Sequence, residues 1–409
     1  MGCGASTSAP SKKYTARTAA EEASPEKKAD AEKTLEEPPK VGQCFCGAVK
    51  VTCTGPPVAK AVCHCKSCRS WGGGAGQLVS LYPEACVKIE GAVDEFSKPG
   101  KLGPDGGPFS VRKSCKVCHG SVCNAHPGLK KIDVCGGLFG YDASAQFSLV
   151  KGGVNCYKPF EYDFHINYED TMLPVYDTKP KFKDFPAKFG GSDEKVDEAT
   201  YPKPLAEKTP YTDETVVKGT CYCGAVTVQC TGKPMAKALC HCGFCRAWSG
   251  GIGQLVNLYP AEQVMVAGEL LSYTKPNSRW CAGGTNFSHR KVCAVCKGKV
   301  LNEHKGIGKV DVCGGILDYS NGTGPVDGTF EFDMHVHYES TIFPYLPDGK
   351  VKFADFPPAF SGSGNTLNDD GSPLETPKPP EEAIAEGVAK QERLTITRNE
   401  AIAADAAFT

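Results

Sequence analysis

The chain has 409 residues, of which 40% are apolar and 23% are charged, and its formal net charge is -1. A chain of this length suits two ordinary domains with tails, each large enough to bury its own core. The near-zero charge gives no general electrostatic reason to bind nucleic acid. The sequence lacks both an apolar run of about 18 residues and the apolar core of a secretory signal, which predicts a cytoplasmic protein without a membrane span.

The N-terminal segment, residues 1–40, is rich in Ala, Ser, Lys and Glu and shows no apolar periodicity, so it is predicted to be a disordered leader. It begins Met-Gly-Cys-Gly-Ala-Ser, which matches the N-myristoylation pattern at Gly2 and places Cys3 where it can be palmitoylated. One acyl chain binds a membrane weakly, whereas two hold a protein there. In a eukaryotic source the leader is therefore predicted to anchor the protein at a membrane surface. The alternative is a chance match, because Gly and Ser are common in disordered segments.

Two similar stretches of sequence follow the leader, and each closes on the phrase Lys-Phe-x-Asp-Phe-Pro. They predict a first domain at residues 41–189 and a second domain at residues 218–360. The polar segment between them, residues 190–217, contains three prolines and is predicted to be a linker. Residues 361–409 are rich in Gly, Pro and Glu and are predicted to form a low-complexity, loosely helical tail.

Within each stretch the pattern is that of short strands. Ala48–Cys53 and Ala225–Cys230 are runs with β-branched residues. Residues 160–168 and 330–338 alternate between apolar and polar side chains, which predicts a strand with one apolar and one polar face. The 46 glycines and 30 prolines favour many tight turns, and long helices are not indicated. The predicted fold class is mainly β.

A cysteine pattern occurs twice along the chain, in three blocks each time. The first copy has its blocks at residues 44–47, 63–69 and 115–118, and the second at 221–224, 240–246 and 293–296. The displacement is 177 residues for the first two blocks and 178 for the third. Such regularity indicates a duplication within the gene, and cysteines one or two residues apart indicate metal sites.

Seven cysteines of each copy belong to the pattern, and they divide into four plus three. Two short paired blocks that lie far apart in sequence predict a closed structural zinc site of four thiolates. We call these the closed sites; their ligands are Cys44, Cys46, Cys115 and Cys118 in the first copy and Cys221, Cys223, Cys293 and Cys296 in the second.

The middle block of each copy holds three cysteines and no fourth. We call these the triplets; the first is Cys63, Cys65 and Cys68, and the second is Cys240, Cys242 and Cys245. A zinc ion with three protein ligands keeps one position open for chemistry. In the alternative, His64 and His241 complete a second closed site. Because a histidine between two ligands would have to fold back against its neighbours, we favour it as a nearby polar group.

The order Cys-x-Cys-Gly-Ala-Val, Cys-His-Cys-x-x-Cys-Arg and Cys-x-x-Cys resembles the family of glutathione-dependent formaldehyde-activating enzymes, which also includes centromere protein V. The resemblance covers both stretches, so two tandem copies are implied. It implies a β-tent of small antiparallel sheets, a structural zinc on the paired blocks and a second zinc on each triplet with room for a substrate thiol. The total is two zinc ions per domain and four per chain, with glutathione as co-substrate.

The activity implied by the resemblance is that of a zinc-dependent carbon-sulfur lyase, which forms or cleaves S-hydroxymethyl-glutathione-like adducts of formaldehyde or a related small electrophile. The triplet cysteines would carry the catalytic zinc. The family's third block usually reads Arg-x-Phe-Cys-x-x-Cys-Gly, whereas here Ser114 and Val292 precede the block and His119 and Lys297 follow it. These departures leave the structural zinc intact and concern the pocket around it.

Several polar residues near the triplets are candidate site residues. Arg69 and Arg246 directly follow the triplets and are predicted to contact a substrate carboxylate, with a solvated surface arginine as the alternative. His165 and His335, with His337 beside the latter, are placed on the polar face of the alternating strand. If that face lines the substrate pocket, these histidines would carry a proton during the reaction; otherwise they are polar residues at the protein surface.

The rival hypothesis for the whole protein is a non-catalytic, zinc-stabilised scaffold that binds a macromolecular partner. The near-neutral charge disfavours DNA as that partner. The presence of a complete triplet in both copies favours chemistry instead.

Overall fold

Short runs of β-branched and aromatic residues, ended by Gly, Pro or a cysteine block, set the secondary structure. The computed structural model describes residues 38–103, 105–141, 160–173, 175, 177–197, 211–276, 288–318, 332–342, 348–360 and 362–374. Within these ranges the chain forms 22 strands, two short α-helices and a series of 3-10 turns. The predicted mainly β fold is therefore confirmed.

The first repeat contains ten of the described strands in two sheets. They are β1 (Lys40–Gln43), β2 (Lys50–Cys53), β3 (Ala59–Cys63), β4 (Gln77–Pro83), β5 (Val87–Glu90), β6 (Val93–Phe96), β7 (Val111–Cys115), β8 (Ser121–His126), β9 (Lys131–Cys135) and β10 (Phe164–Ile166), with helix α1 (Lys66–Gly72) between β3 and β4. Its 3-10 turns are Glu84–Cys86, Pro127–Leu129, Gly136–Leu138, Tyr168–Asp170 and Ala187–Phe189. The sheets have the orders β1-β2-β5 and β10-β3-β4-β9-β8-β7-β6.

The second repeat follows the same plan with two additional short strands. Its strands are β11 (Val216–Thr220), β12 (Thr227–Thr231), β13 (Ala236–Cys240), β14 (Gln254–Pro260), β15 (Val264–Ala267), β16 (Leu270–Tyr273), β17 (His289–Cys293), β18 (Lys299–His304), β19 (Lys309–Cys313), β20 (Leu317–Asp318), β21 (Met334–Val336) and β22 (Val351–Lys352), with helix α2 (Gly243–Ser249) after β13. Its 3-10 turns are Ala261–Gln263, Lys305–Ile307, Gly314–Ile316, Tyr338–Ser340 and Pro358–Phe360. The sheets have the orders β15-β12-β11-β20 and β16-β17-β18-β19-β14-β13-β21-β22.

The predicted alternating strand of each repeat is wrong in its extent and in its faces. In the first repeat only Phe164–Ile166 is a strand, and all three of its residues are buried. It pairs in parallel with β3, and His165 forms a parallel bridge to Lys181 on its other side. The side chain of His165 is fully buried, so it does not lie on an exposed polar face. β21 repeats this arrangement between β13 and β22.

The two repeats share one hydrophobic core, which differs from the expectation that each half buries its own. A single cluster of buried side chains contains Trp71 of the first repeat and Trp248 of the second. Glycines let the two backbones meet, since a side chain at Gly74 would overlap the carbonyl oxygen of Gly253. The side-chain amide of Gln254 donates to the carbonyl of Gly73 at 2.7 Å, which joins the repeats by a buried hydrogen bond.

The repeats also extend beyond the predicted domain limits. β11 begins at Val216, inside the predicted linker. Leu367, in the predicted tail, donates its backbone N–H to the carbonyl of Lys352 at 2.8 Å. The described residues from Pro39 onward belong to one compact unit. The predictions for Gly2, Cys3 and the rest of the leader, and for the tail after residue 374, fall outside the described residues and stay predictions.

Helices long and apolar enough to cross a membrane are not found in the part of the chain that the structure describes.

Candidate metal centres and the cleft beside them

Each closed site lies where two β-turns of one repeat meet. The turn after β1 carries Cys44 and Cys46, Cys115 is the last residue of β7, and the turn that follows β7 carries Cys118. All four sulfur atoms lie within 4.8 Å of one another, and the Sγ atom of Cys46 is 3.6 Å from that of Cys44 and 3.7 Å from that of Cys115. The second closed site has the same geometry, with sulfur separations of 3.6 Å for Cys221 and Cys223 and 3.7 Å for Cys223 and Cys293.

The donor set and spacing of the closed sites fit zinc. A zinc–sulfur bond of about 2.3 Å in a tetrahedron places the sulfurs about 3.8 Å apart, close to the observed separations. All described cysteines are free thiols, so none of these sulfurs is used in a disulfide. The hydrogen bond from Cys118 lowers the pKa of Cys115, while burial raises that of Cys118. Four thiols this close cannot all ionise without a cation among them, which a metal supplies.

Each triplet is assembled by the end of one strand and the start of one helix. Cys63 ends β3, Cys65 caps the N-terminus of α1, and Cys68 lies in its first turn. The Sγ atom of Cys65 accepts the backbone N–H of Cys68 at 3.3 Å, and Gly73 ends the helix in the left-handed conformation with φ of 74°. The second triplet repeats these features around α2. In both repeats the three sulfurs lie within 4.8 Å of one another.

His64 belongs to a buried polar chain and not to the ligand set. The metal-binding groups found among the described residues contain cysteines alone. His64 is fully buried; its Nε2 lies 2.9 Å from Nδ1 of His165 and its Nδ1 lies 3.0 Å from Oγ1 of Thr171. His241 makes the matching contact to His335 at 2.8 Å. The interpretation of these histidines as nearby polar groups is therefore confirmed.

His165 and His335 continue the same buried chains. Nε2 of His165 lies 3.0 Å from a carboxylate oxygen of Asp177, and Nε2 of His335 lies 2.8 Å from one of Asp348. Burial opposes ionisation of Asp348, but its hydrogen bond to His335 and its ion pair with Lys352 hold the pKa of the carboxyl below its usual range. Both histidines are fully buried, so the prediction of a polar surface at these positions is wrong.

Arg69 and Arg246 are buried rather than solvated, at 8% and 2% exposed. The Nε–H of Arg69 donates to the backbone carbonyl of His64 at 3.0 Å, which fixes the loop between the triplet cysteines. Arg246 is not among the residues that line the cleft beside the second triplet. The alternative of a surface arginine is therefore wrong, and the predicted contact with a substrate carboxylate stays a prediction.

The arginines that do contact the triplets come from a different strand and were missed. Nη2 of Arg112, on β7, lies 3.5 Å from Sγ of Cys68, and Nη2 of Arg290, on β17, lies 3.7 Å from Sγ of Cys245. Hydrogen bonds from Cys63 and Cys65, together with the charge of Arg112, hold the pKa of Cys68 well below its usual range. The signal in the sequence was an arginine three residues before the third cysteine block in both copies.

A cleft of about 180 Å³ opens beside the second triplet. All three cysteines of that triplet line it, and its walls are largely apolar, with Ala238, Val256, Met334 and Phe356 among them. The polar residues that line it are Ser288, Arg290, Asn302, His304, Lys309, Asp311 and His337. The arrangement joins a sulfur-rich end to cations and imidazoles, which suits a small anionic thiol.

Two histidines of this cleft have distinct surroundings. Nε2 of His304 lies 2.7 Å from a carboxylate oxygen of Asp311, a pair that recurs in the first repeat as His126 and Asp133 at 2.8 Å. The sequence shows the recurrence but suggested no role for it. The ring of His337 packs edge-on against Phe356 at 4.4 Å, and burial lowers the pKa of His337 to about 4. His337 is therefore neutral near pH 7.

Comparison with protein families gives one match to both repeats. A family described as glutathione-dependent formaldehyde-activating enzyme matches residues 39–146 and 216–333, together more than half of the chain. No curated protein matches the chain. Each matched region contains one closed site and one triplet. The chain therefore belongs to the family of glutathione-dependent formaldehyde-activating enzymes and carries two tandem copies of the family's domain.

Proposed function

We propose that the protein is a zinc-dependent carbon-sulfur lyase-type enzyme that forms or cleaves S-hydroxymethyl adducts of glutathione, or a related thiol, with formaldehyde or a related small electrophile. The observation that carries the proposal is the second triplet, where three convergent sulfurs line a cleft together with cations and histidines. Family membership supports the class of substrate.

The three sulfurs of each triplet fit zinc by donor type and spacing. A zinc ion held by the three thiolates would leave a fourth position for the substrate thiol and would lower the pKa of that thiol. The protein's own residues then bind the rest of the substrate. Lys309 lines the cleft and offers an ammonium group to a substrate carboxylate, the role first predicted for Arg246. Arg290 is held at the triplet sulfur and offers its charge there.

Adduct formation moves one proton and makes one bond. The sulfur attacks the carbonyl carbon, a carbon–sulfur bond forms, and the proton that leaves the thiol ends on the former carbonyl oxygen; cleavage is the reverse. His304, held by Asp311, is placed to carry that proton. His337 is neutral at pH 7 and suits donation of a hydrogen bond to the carbonyl oxygen.

The test is exchange spectroscopy of formaldehyde with glutathione in the presence of the purified protein. We expect catalysed exchange from the intact chain and none from the double variant Cys65→Ser, Cys242→Ser. Cys86→Ser is the matched control, because Cys86 is a half-buried cysteine outside all four metal groups. Zinc analysis should give about four ions per intact chain and about two for the double variant. Equal exchange rates for the intact chain and the double variant would support the scaffold hypothesis instead.

A further inference from the structure

Arg112, which contacts the first triplet, lies between aromatic rings from the two repeats. Its guanidinium carbon is 4.8 Å from the ring of Trp71 and 5.2 Å from the ring of Tyr222. Trp71 belongs to α1 of the same repeat, whereas Tyr222 stands between Cys221 and Cys223 in the closed site of the second repeat. The arginine therefore contacts a ring from the other repeat's metal-binding turn.

The second triplet shows the same arrangement in the opposite direction. The guanidinium carbon of Arg290 is 4.7 Å from the ring of Trp248 and 4.7 Å from the ring of Phe45. Phe45 stands between Cys44 and Cys46 in the closed site of the first repeat. Both arginines are buried, so their charge depends on sulfur and aromatic contacts in place of water.

The closed-site turns are anchored where they meet the opposite repeat. The indole N–H of Trp71 donates to the carbonyl of Cys296 at 3.1 Å, and Phe45 packs edge-on against Phe244 at 5.6 Å. Tyr222 packs edge-on against Phe96 at 5.8 Å, and its carbonyl accepts a hydrogen bond from Lys98 at 3.4 Å. An aromatic residue that stands between two ligands of one metal has a restricted backbone position. Its ring is therefore suited to hold a neighbouring side chain in place.

We infer that each triplet is completed across the repeat interface: Tyr222 is a positioning residue for Arg112 at the first triplet, and Phe45 is a positioning residue for Arg290 at the second. The closed site of one repeat thus supports the reactive site of the other. A hydrogen bond to a ligating sulfur tunes metal affinity by about 10–100-fold, so losing the arginine's position weakens the triplet that it contacts. The inference rests on the metal-binding triplets of the proposed function and not on the identity of its substrate.

The experiment isolates one triplet at a time in the full chain. Cys242→Ser leaves only the first triplet, and Cys65→Ser leaves only the second. Tyr222→Leu and Phe45→Leu are introduced into each background, and cobalt is bound to the remaining triplet, whose affinity is measured by chelator competition and whose absorption spectrum reports its geometry.

Each substitution is expected to weaken cobalt binding at the triplet of the opposite repeat. Tyr222→Leu should weaken cobalt binding about tenfold and shift the spectrum when only the first triplet remains, and should change it less than about twofold when only the second remains. Phe45→Leu should do the reverse, and Tyr222→Phe, which keeps the ring but loses the hydrogen bond of the hydroxyl to Arg112, should weaken binding at the first triplet less than Tyr222→Leu does. A larger effect on the triplet of the same repeat, or equal effects on both triplets, would overturn the inference. Because cobalt binding is read without glutathione, failure of the proposed reaction gives a different result.

Discussion

The two triplets have the same backbone arrangement, and an arginine contacts each of them. They differ in the residue that directly follows β10 in the first repeat and β21 in the second. In the first repeat this residue is Asn167, whose side-chain amide donates to Sγ of Cys63 at 3.6 Å. In the second it is His337, which lines the cleft. Both residues adopt the left-handed conformation, with φ of 51° and 54°, so the backbone is the same. Duplication has thus kept the metal-binding frame while the chemistry offered beside it has changed.

The walls next to the triplets differ as well. Phe164 packs against Phe182 at 5.8 Å and against Phe189 at 6.0 Å in the first repeat. Met334 takes the position of Phe164 in the second repeat and lines the cleft there. A thioether is thinner and more flexible than a phenyl ring, which makes the second site more adaptable to its ligand. The metal therefore constrains the identity of the cysteine ligands, whereas it does not constrain the residues that pack beside them.

The largest expected effect tests whether the closed site is structural in both repeats. Cys115→Ser and Cys293→Ser should each abolish cooperative thermal unfolding, because a structural zinc contributes about 10–16 kcal/mol of apparent binding energy, more than most domains have in net stability. Circular dichroism with zinc analysis measures this. Cys86→Ser should unfold like the intact chain. If Cys115→Ser kept the intact chain's unfolding midpoint, the first closed site would not be structural.

A smaller effect tests the chemical difference between the triplets. With Cys65→Ser leaving only the second triplet, His337→Asn should make it resemble the first and lower the rate of formaldehyde–glutathione exchange about 100-fold. The expected cause is loss of the neutral imidazole donor at the carbonyl oxygen. Zinc content should stay unchanged, which separates this effect from metal loss. An unchanged exchange rate would assign no role to His337 and leave the two triplets chemically equivalent.

The smallest effect concerns the His126 and Asp133 pair of the first repeat. Burial opposes the charge on His126, but the hydrogen bond and the charge of Asp133 raise its pKa above the ordinary value. A histidine whose pKa is raised on folding stabilises the protein below its unfolded pKa of about 6.5, and that contribution is lost as pH rises through the folded pKa.

The free energies of urea unfolding of the intact chain and of His126→Gln should therefore differ by more at pH 6 than at pH 9. A difference that grew with pH would contradict the assigned direction of the shift. His304→Gln, measured in the same way, shows whether the matching pair of the second repeat behaves alike.

The sequence by itself determined the duplication, the β class and the grouping of the cysteines. Each triplet lies in one short block such as Cys63–Cys68, whereas each closed site joins two blocks, 69 residues apart for Cys46 and Cys115. The structure brings together the same four groups. Local spacing identified the blocks, and the division of seven cysteines into four plus three indicated how the blocks combine. The strand predictions at Ala48–Cys53 and Ala225–Cys230 are confirmed with shifted bounds, at Lys50–Cys53 and Thr227–Thr231, because β-branched runs are local signals.

Only the tertiary structure decided what surrounds the sulfurs. β10 pairs with β3 about 100 residues earlier in the chain, and this long-range pairing buries His165 where alternation alone predicted a polar face. Arg112 reaches Cys68 from another strand, and Tyr222 reaches Arg112 from the other repeat. Such contacts depend on how sheets and repeats pack, and a spacing rule within one block holds no information about them. The metal ligands could thus be predicted from the sequence, whereas the residues that surround them in the fold could not.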